Sequence, residues 1–326
     1  MTSRKQQYLR SIEKFSHLKL LVIGDLMLDK YIQGSVSRLS PEAPVPVVKV
    51  LKKEDRIGGA GNVAANLAAL NCNVSLAGIC GEDENGRAIQ EMLTQRSIKC
   101  EILFTPSKPT TVKTRIIAQH QQVVRVDEED THPFSEKMQH ELLKNLYQSH
   151  KNFDGIILSD YKKGLLTPDF IQNIITRFPD IPVIVDPKGH DFTKYQSATV
   201  IKPNWKEFKT AINNPDLKID KIATEARKMV AQLGLKGIII TLGEQGVFVL
   251  DEAGKEKLLP TIARDVFDVS GAGDTFIAAF TAGLLATGDW IFASSLANIA
   301  SGIVVGKVGT AVVNRQELLD NLHFYY

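Results

Sequence analysis

The chain has 326 residues, of which 44% are hydrophobic and 23% are charged, values close to the average for a globular protein. This length predicts one large α/β domain or two smaller ones, and the net charge of +2 provides no field that would recruit nucleic acid or an anionic membrane. No uninterrupted apolar run approaches the roughly 20 residues that span a bilayer, and the polar amino terminus lacks the apolar core of a secretory signal.

Short apolar, β-branched runs alternate with helical patterns along the chain. The predicted strands are residues 18–25, 73–80, 155–160, 181–187, 199–204 and 237–243, and the predicted helices are residues 62–71, 84–97, 167–178 and 224–234. Continuous apolar strands are typical of parallel sheets buried on both faces, and their alternation with helices predicts a doubly wound α/β sheet. Ligands of such sheets bind beyond the carboxyl ends of the strands. Five strand-end residues are therefore site candidates: Asp25, Asp160, Asp186, Asn204 and Gly243.

Two segments, residues 30–52 and 110–127, alternate apolar and polar residues without a helical period. This alternation predicts antiparallel strands outside the main sheet, which would form a small lid or a dimer contact. Three prolines from Pro41 to Pro46 are incompatible with a central strand and predict an edge or a bend. Because no linker-like stretch is present, we expect a single domain over residues 1–326 that carries this lid.

The three cysteines, Cys72, Cys80 and Cys100, cannot all pair with one another and form no CxxC motif. We expect buried, reduced thiols of a cytoplasmic protein and no cysteine metal site. An oxidised pair or a redox role stays open as an alternative.

Two common phosphate-binding patterns do not fit. The segment closest to a P-loop, GIVVGKV from Gly302, has only three residues between its glycines and no Ser or Thr after the lysine. Gly59, Gly61 and Ala64 do spell GxGxxA, but the preceding KKEDRI is too charged for a central strand. That charge argues against a dinucleotide-binding fold.

The segment DVSGAGDTFIAAFTAG, residues 268–283, places glycines and an acid directly before a helix of small apolar residues. Gly271 and Gly273 allow a sharp turn that brings bare amide groups to a ligand. Since these amides begin a helix, whose dipole also attracts anions, they suit negative charge that grows in a transition state. Asp274, in the first turn, could take a proton from an attacking hydroxyl. The alternative is an aspartate that only caps the helix.

Two further motifs favour a nucleotide site. In KPNWKEF, residues 202–208, the spacing of Asn204 and Glu207 suits either a capping box or a carboxylate that organises Mg²⁺ near phosphates. In TLGEQGVFVL, residues 241–250, Thr241 and Gly243 could face a nucleotide, or the segment could be a plain β-hairpin.

These motifs resemble the conserved segments of one family. GGAGNVAANLAAL, residues 58–70, and DVSGAGDTFIAAFTAG resemble the two signatures of the ribokinase-like (PfkB) sugar kinases, and KPNWKEF resembles their NxxE motif. GEDENG, residues 81–86, and TLGEQG also fit, in the expected order. The likeness covers essentially the whole chain, and it implies an α/β ribokinase-like fold with a doubly wound, mostly parallel sheet and a small antiparallel β lid.

A closer likeness lies in residues 24–50, 114–127, 159–164 and 186–189, which look like the family members that act on D-glycero-β-D-manno-heptose 7-phosphate. It implies transfer of the ATP γ-phosphoryl group to O1, giving the 1,7-bisphosphate used in ADP-heptose and lipopolysaccharide core biosynthesis. It also implies a kinase unit without the fused adenylyltransferase, either stand-alone or a truncated half. Another sugar or nucleoside kinase of the family, and a non-catalytic sugar-binding protein of the same fold, are the alternatives.

The matching positions imply a role for each motif residue. Asp274 would be the catalytic base, and the backbone of Gly271, Ala272 and Gly273 would form an anion hole. Glu207 and Asp186 would serve Mg²⁺, although Asp186 could instead cap the next helix. The implied nucleotide-binding residues are Asn204, Glu207, Thr241, Gly243, Gly246 and Asn298. The implied ligands of the sugar hydroxyls are Asp25, Asp29, Gly59 and Asn62.

The phosphate of the acceptor requires cations, and the candidates are Arg38, Arg125, Lys162 and Lys163, each of which could instead be a solvated surface charge. SDYKKG carries Lys162 where the heptose kinases have glycine, which puts the loop shape and the substrate preference in doubt. We expect ATP and Mg²⁺ as cofactors, with a monovalent cation as an open addition. We expect a small sugar phosphate as substrate, a homodimer through the lid strands, and no nucleic-acid or membrane partner.

Overall fold

The secondary structure is taken from a computed structural model, which describes residues 2–119, 121–149, 152–261, 266–307 and 309–322. The strands are β1 Lys19–Gly24, β2 Leu26–Leu39, β3 Pro46–Gly59, β4 Asn73–Gly81, β5 Lys99–Thr105, β6 Thr111–Ala118, β7 Gln121–Glu128, β8 Gly155–Ser159, β9 Val183–Asp186, β10 Val200–Ile201, β11 Gly237–Thr241, β12 Val247–Leu250 and β13 Glu256–Leu259. The α-helices are α1 Thr2–Glu13, α2 Ala60–Ala69, α3 Glu84–Thr94, α4 Glu136–Ser149, α5 Pro168–Arg177, α6 Trp205–Ala211, α7 Ile222–Leu233, α8 Ala272–Thr287, α9 Trp290–Val304 and α10 Arg315–Asn321.

The main sheet has nine strands in the order β13-β12-β11-β10-β9-β8-β1-β4-β5. Neighbours from β11 to β5 run parallel, whereas β12 and β13 are antiparallel additions at one edge. The six predicted strands are β1, β4, β8, β9, β10 and β11, so the predicted doubly wound sheet is confirmed. The antiparallel β11–β12 pair also confirms the hairpin expected in TLGEQGVFVL.

The apolar strands of the main sheet contribute side chains to two hydrophobic cores, one on each face of the sheet. Leu20 and Val22 of β1 pack into the core that contains α2, α8 and α9, whereas Leu21 and Ile23 pack into the core that contains α5 and α7. All four side chains are fully buried, and each burial contributes roughly 1.5–3 kcal/mol. This two-sided burial explains why the strands have no polar alternation in sequence.

The second sheet, which we call the lid, has the strand order β3-β2-β6-β7. The β2–β3 and β6–β7 pairs are antiparallel as predicted, but the β2–β6 pair is parallel. The parallel pair arises because β2 follows β1 and β6 follows β5. Since β1 and β5 point in the same direction, β2 and β6 both start from the carboxyl ends of the main-sheet strands and run in the same direction. β3 begins at Pro46 and forms an edge of the lid, as the prolines predicted, and His120 of the second lid segment lies outside the described residues.

The strand order reverses between β1 and β8. From β1 the chain first builds β4 and β5 on one side, and it then returns to place β8 to β11 on the other side. The loops that leave β1 and β8 therefore separate and open a crevice at their carboxyl ends, where Asp25 and Asp160 lie.

Two expectations about the whole chain can be compared with the structure. Cys72, Cys80 and Cys100 are free thiols, and the first two are buried, whereas Cys100 is only partly buried. Among the helices that the structure describes, none has both the length and the apolar character that a membrane crossing requires.

Candidate active site

The start of α8 is set by Gly271, whose φ of 79° lies in the left-handed region that favours glycine. The chain turns there and enters the helix at once, which places Asp274 in the first turn with only 4% of its surface exposed. The amide of Ala272 donates to the carbonyl of Val269 over 3.2 Å. Among the described residues, none accepts from the amides of Gly271 or Gly273. The tight turn thus uses the amide of Ala272, and the anion-hole role of Gly271, Ala272 and Gly273 stays a prediction.

The carboxylate of Asp274 is held by two donors from other parts of the chain. The Asn62 side-chain amide donates to Oδ2 at 2.8 Å, and the Tyr161 hydroxyl donates to Oδ1 at 2.6 Å. Burial raises the pKa of Asp274 to about 7, against the lowering effect of both hydrogen bonds. A carboxylate with a pKa near neutrality suits general base catalysis at physiological pH.

Helix α2 supplies the support beneath this carboxylate. Gly59 caps α2 with a φ of 58°, and the amide of Ala60 donates to the carbonyl of Asp25 at 3.0 Å. One turn after Asn62, the side chain of Asn66 accepts from the Thr275 hydroxyl of α8 at 3.0 Å. The structure thus brings the predicted sugar-side residue Asn62 to the predicted base and places Gly59 at the start of the same helix, beside Asp25.

Asp25 lies in the crevice but already has protein partners. Its carboxylate accepts from the amides of Tyr161 at 2.8 Å, Lys163 at 3.0 Å and Leu165 at 3.3 Å. Burial, and then repulsion from Asp160, raise the pKa of Asp25 to about 6, whereas the three amides lower it. Asp25 therefore fixes the loop after β8, and its contact with a sugar stays a prediction.

That loop also carries the two predicted lysines. Lys162 is exposed and has a φ of 55°, a left-handed conformation in which glycine, the expected family residue, is favoured. The loop keeps this conformation although a lysine occupies the position. The ammonium of Lys163 lies 2.6 Å from Glu129 at the end of the lid.

On the lid side, Asp29 is buried and forms an ion pair with Arg115, with 2.6 Å between Oδ1 and Nη1. The Arg115 guanidinium also lies over the ring of Tyr31, 5.3 Å from its centroid, and Arg56 lies 5.1 Å from the same centroid. Neither arginine was among the predicted site residues. They meet Asp29 and Tyr31 through the β2–β6 and β2–β3 registers, which local sequence patterns do not fix.

Two predicted phosphate-binding cations, Arg38 and Arg125, lie on the lid, and Arg125 stands opposite Arg115 in the β6–β7 pair. Arg38 is exposed near the far end of β2, roughly 30 Å from Asp29 at the rise of an extended strand. Arg125 is exposed, and its guanidinium pairs with the carboxylate of Asp127 at 2.8 and 2.9 Å. Within one chain Arg38 therefore lies away from Asp29, and Arg125 already has an acidic partner, so the phosphate-binding role of both arginines stays a prediction.

Asn204, Glu207 and Thr241 are brought together beside the predicted nucleotide site. Asn204 pairs with Thr241 across an isolated β-bridge and forms a capping box with Glu207 through two hydrogen bonds of 2.9 Å. The other oxygen of Glu207 accepts from Lys188 at 2.7 Å. The same arrangement recurs at Asn314 and Glu317, whose partner is a lysine of the α9–α10 loop. The capping-box interpretation of NxxE is therefore confirmed, whereas the magnesium role stays a prediction.

Lys202 was not among the predicted site residues, yet its side chain lies at the site. Its ammonium is buried and lies 3.0 Å from Asp186 at the end of β9. A methyl group placed on Gly273 would lie 3.5 Å from this ammonium, so Lys202 adds a positive charge beside the free amides. Its position directly before Pro203 and Asn204, within the motif, was the available signal.

The other predicted nucleotide-binding residues surround the hairpin. Gly243 and Gly246 flank the turn between β11 and β12, next to Thr241. The Asn298 side chain donates to the carbonyl of Pro260 at 2.7 Å, which ties α9 to the segment after β13.

The residues at this edge fit magnesium as a partner of nucleotide phosphates. Among the residues described by the structure, no group of three or more His, Cys, Asp and Glu side chains could hold a metal ion unaided. Asp186 and Glu207 are hard oxygen ligands, each paired with one lysine. Mg²⁺ usually keeps several waters and takes only one or two carboxylates together with the substrate phosphates, which such a pair can supply.

Comparison with known proteins agrees with this geometry. The model of the pfkB family of carbohydrate kinases matches residues 17–317. The bifunctional protein HldE of Trichlorobacter lovleyi is 42% identical over 310 residues, which cover 94% of this chain and 63% of that protein. The chain thus spans less than two thirds of the length of this relative.

Solved structures show the same fold at low identity. The ribokinase of Arabidopsis thaliana complexed with ribose and ATP has a TM-score of 0.74 at 21% identity, over 94% of this chain and 98% of that one. Phosphofructokinase-2 of Escherichia coli in complex with potassium has a TM-score of 0.78 at 17% identity, over 94% and 98%. Together with the family match, these findings show that the chain belongs to the pfkB family of carbohydrate kinases and has the ribokinase-like fold.

Proposed function

We propose that residues 1–326 act as one kinase domain, which transfers the γ-phosphoryl group of ATP to O1 of D-glycero-β-D-manno-heptose 7-phosphate. The observation that carries the proposal is the buried carboxylate of Asp274, whose pKa is raised to about 7 at the amide-rich start of α8. A base and an anion site within one helical turn suit the attack of a hydroxyl on a phosphoryl group.

The proposed reaction uses each group once. Asp274 accepts the proton of the O1 hydroxyl while O1 forms a bond to the γ-phosphorus. The bond from that phosphorus to the bridging oxygen breaks, and ADP leaves with the electron pair. The amides of Gly271 and Gly273, with the ammonium of Lys202, stabilise the charge on the migrating group. Mg²⁺ would be held by Asp186 and Glu207 and would neutralise charge on the nucleotide phosphates.

The identity of the acceptor rests on the likeness in residues 24–50, 114–127, 159–164 and 186–189 and on the HldE relative. Asp29, Gly59 and Asn62 would bind hydroxyls of the sugar. For the 7-phosphate we retain Lys162 and Lys163, because their loop borders the crevice at Asp25. We propose that this reaction serves lipopolysaccharide core biosynthesis in the cytoplasm.

We also propose that the chain forms a homodimer through the lid. Seven large apolar side chains of the lid and of its β2–β3 connection are more than 40% exposed: Leu39, Val45, Val50, Leu51, Val123, Val124 and Val126. Water-exposed apolar side chains on strands with a free edge favour a second copy. Sedimentation of the protein at micromolar concentration tests this proposal, and a purely monomeric species would overturn it.

An ATP-consumption screen tests the proposed reaction. Phosphorylated hexoses and heptoses, and their unphosphorylated forms, are compared at one concentration with Mg²⁺ and with either K⁺ or Na⁺. Both cations are included because phosphofructokinase-2 of Escherichia coli was solved with potassium. We expect turnover with the seven-carbon phosphate to exceed that with every hexose phosphate, and phosphate transfer to O1 by NMR. A preference for another sugar would replace the heptose as the proposed substrate. If no sugar were turned over, the proposal that the chain is a kinase would be wrong.

A further inference from the structure

We propose that Tyr161 is a positioning residue that orients the carboxylate of Asp274 and keeps it ionised for the attack of the acceptor. No motif identified in the sequence includes this tyrosine as a functional residue. The inference rests on the proposed function, because it requires Asp274 to be the base.

The hydrogen-bond pattern at Asp274 carries the inference. Each carboxylate oxygen has one donor, the Tyr161 hydroxyl at 2.6 Å on Oδ1 and the Asn62 amide at 2.8 Å on Oδ2. An ionised carboxylate offers about four lone-pair positions, so positions remain for the incoming hydroxyl. A hydroxyl bonded to a carboxylate over 2.5–2.7 Å is among the stronger hydrogen bonds in proteins. The two donors therefore fix the plane of the base without blocking it.

The tyrosine acts as a donor over a wide pH range. Burial, together with the charge of Asp274, raises the pKa of Tyr161 well above its usual value. The hydroxyl therefore remains protonated when Asp274 is ionised. It stabilises the charged carboxylate in a place where water is largely excluded.

The backbone of Tyr161 is clamped. Its own amide donates to Asp25 at 2.8 Å, and the amide of Lys163 donates to the same oxygen at 3.0 Å. The buried ammonium of Lys108 donates to the carbonyl of Lys163 at 2.7 Å and to that of His132 at 2.6 Å. A loop fixed at successive points delivers the hydroxyl to one place, as a positioning role requires.

Four groups from different elements influence the ionisation of Asp274. Asn62 from α2 and Tyr161 from the loop after β8 donate hydrogen bonds that lower its pKa. Asp186 at the end of β9 raises the pKa, and Lys202 after β10 lowers it. Removal of the Tyr161 hydroxyl leaves the other three in place, so the net change is an increase.

The test compares Tyr161→Phe with Tyr195→Phe in the whole protein. Tyr195 is a matched control, because its hydroxyl also donates to a buried carboxylate at 2.6 Å, that of Asp160. The dependence of kcat/KM on pH is measured from pH 5 to 9 with ATP, Mg²⁺ and the sugar phosphate preferred in the screen. The acid limb is the fall of kcat/KM at low pH, where the base becomes protonated. Loss of one hydrogen bond to a charged group is expected to move this limb to higher pH by about one unit in Tyr161→Phe only. The activity then falls about fivefold at pH 7 and is nearly restored at pH 9.

Three results separate the possible failures. If Asp274→Asn retains activity, the proposed base is wrong and the inference fails with it. If Asp274→Asn is inactive but Tyr161→Phe shows the acid limb of Tyr195→Phe, only the role of Tyr161 is overturned. If Tyr161→Phe does not fold, 3,5-difluorotyrosine at position 161 keeps the ring and strengthens the donor. If the acid limb of that protein does not move to lower pH, the positioning role of Tyr161 is also overturned.

Discussion

Asp274→Asn should make the protein inactive and more stable at the same time. The pKa of Asp274 rises from its ordinary 3.8 to about 7, chiefly because the carboxyl is buried. Each pH unit corresponds to about 1.4 kcal/mol, so the ionised carboxylate costs the native state on the order of 4 kcal/mol above pH 7. Asparagine removes this cost but turns one oxygen into a donor, which loses a hydrogen bond worth about 1 kcal/mol. We expect a net gain of about 2–3 kcal/mol at pH 8.5.

The gain should depend on pH in a defined direction. Between pH 4 and 7 the native state of the wild type binds more protons than the unfolded state, so its stability decreases as the pH rises. The advantage of Asp274→Asn should therefore be about 2 kcal/mol smaller at pH 5.5 than at pH 8.5 and constant above pH 7. Lowering of kcat by at least ~10²–10⁴ is expected, because a general base is lost.

Urea unfolding at the two pH values, with steady-state kinetics on the same samples, makes the measurement. Asp289→Asn is the matched control, because Asp289 is an exposed cap of α9 that accepts a hydrogen bond from the amide of Phe292 and that asparagine can replace. The burial argument would be refuted if Asp274→Asn were less stable than the wild type at pH 8.5. It would also be refuted if the gain in unfolding free energy were the same at both pH values. Near-wild-type turnover would refute the role of Asp274 as the base.

Three further substitutions test the surroundings of the base, each as an expected outcome. Glu207→Gln keeps a side chain that the capping box accepts but removes the charge, so the Mg²⁺ concentration for half-maximal activity should rise about tenfold. The equivalent change Glu317→Gln, in the duplicate capping box, should leave the Mg²⁺ titration unchanged, and equal titrations of both variants would remove Glu207 from the metal site. Gly271→Ala and Gly288→Ala both place alanine at positive φ, at the two ends of α8, and each should lose about 1–2 kcal/mol of unfolding free energy. Only Gly271→Ala should also lose turnover, because its methyl would lie 2.8 Å from the amide that holds the base; equal turnover would contradict that contact. Lys202→Met should reduce kcat by about 10²–10³ with little change in the KM of the sugar, whereas a selective rise in that KM would place the ammonium at the sugar.

The fold could be predicted because its signals are local. Apolar runs buried on both faces identify the parallel strands, and the order of the motifs identifies the family. The turn at Gly271 was also predictable, since SGAGDTFIAAF shows two glycines followed by an apolar helical pattern, and Gly271 indeed has a positive φ. The Pro-rich bend before β3 follows from the same kind of local rule.

The residues that the sequence did not reveal depend on long-range register. Tyr161 reaches Asp274 across 113 positions in sequence, and Arg115 reaches Asp29 across 86. No local pattern specifies these distances, because they follow from the reversal of strand order and from the parallel pairing of β2 with β6. The distance between Arg38 and Asp29 likewise follows from the length of β2, which no short motif specifies.

The chain enters and leaves the hairpin formed by β2 and β3 at neighbouring points of the fold. A single residue separates β1 from β2, and β3 continues directly into α2, with the amide of Ala60 bonded to the carbonyl of Asp25. The first residues of β2 and the last residues of β3 therefore lie beside the reacting groups, while residues 40–45 form the turn at the opposite end of the hairpin. Chain grafted into that turn would alter the outline of the molecule and its self-association but leave the chemistry in place, so related kinases can diversify there at little catalytic cost.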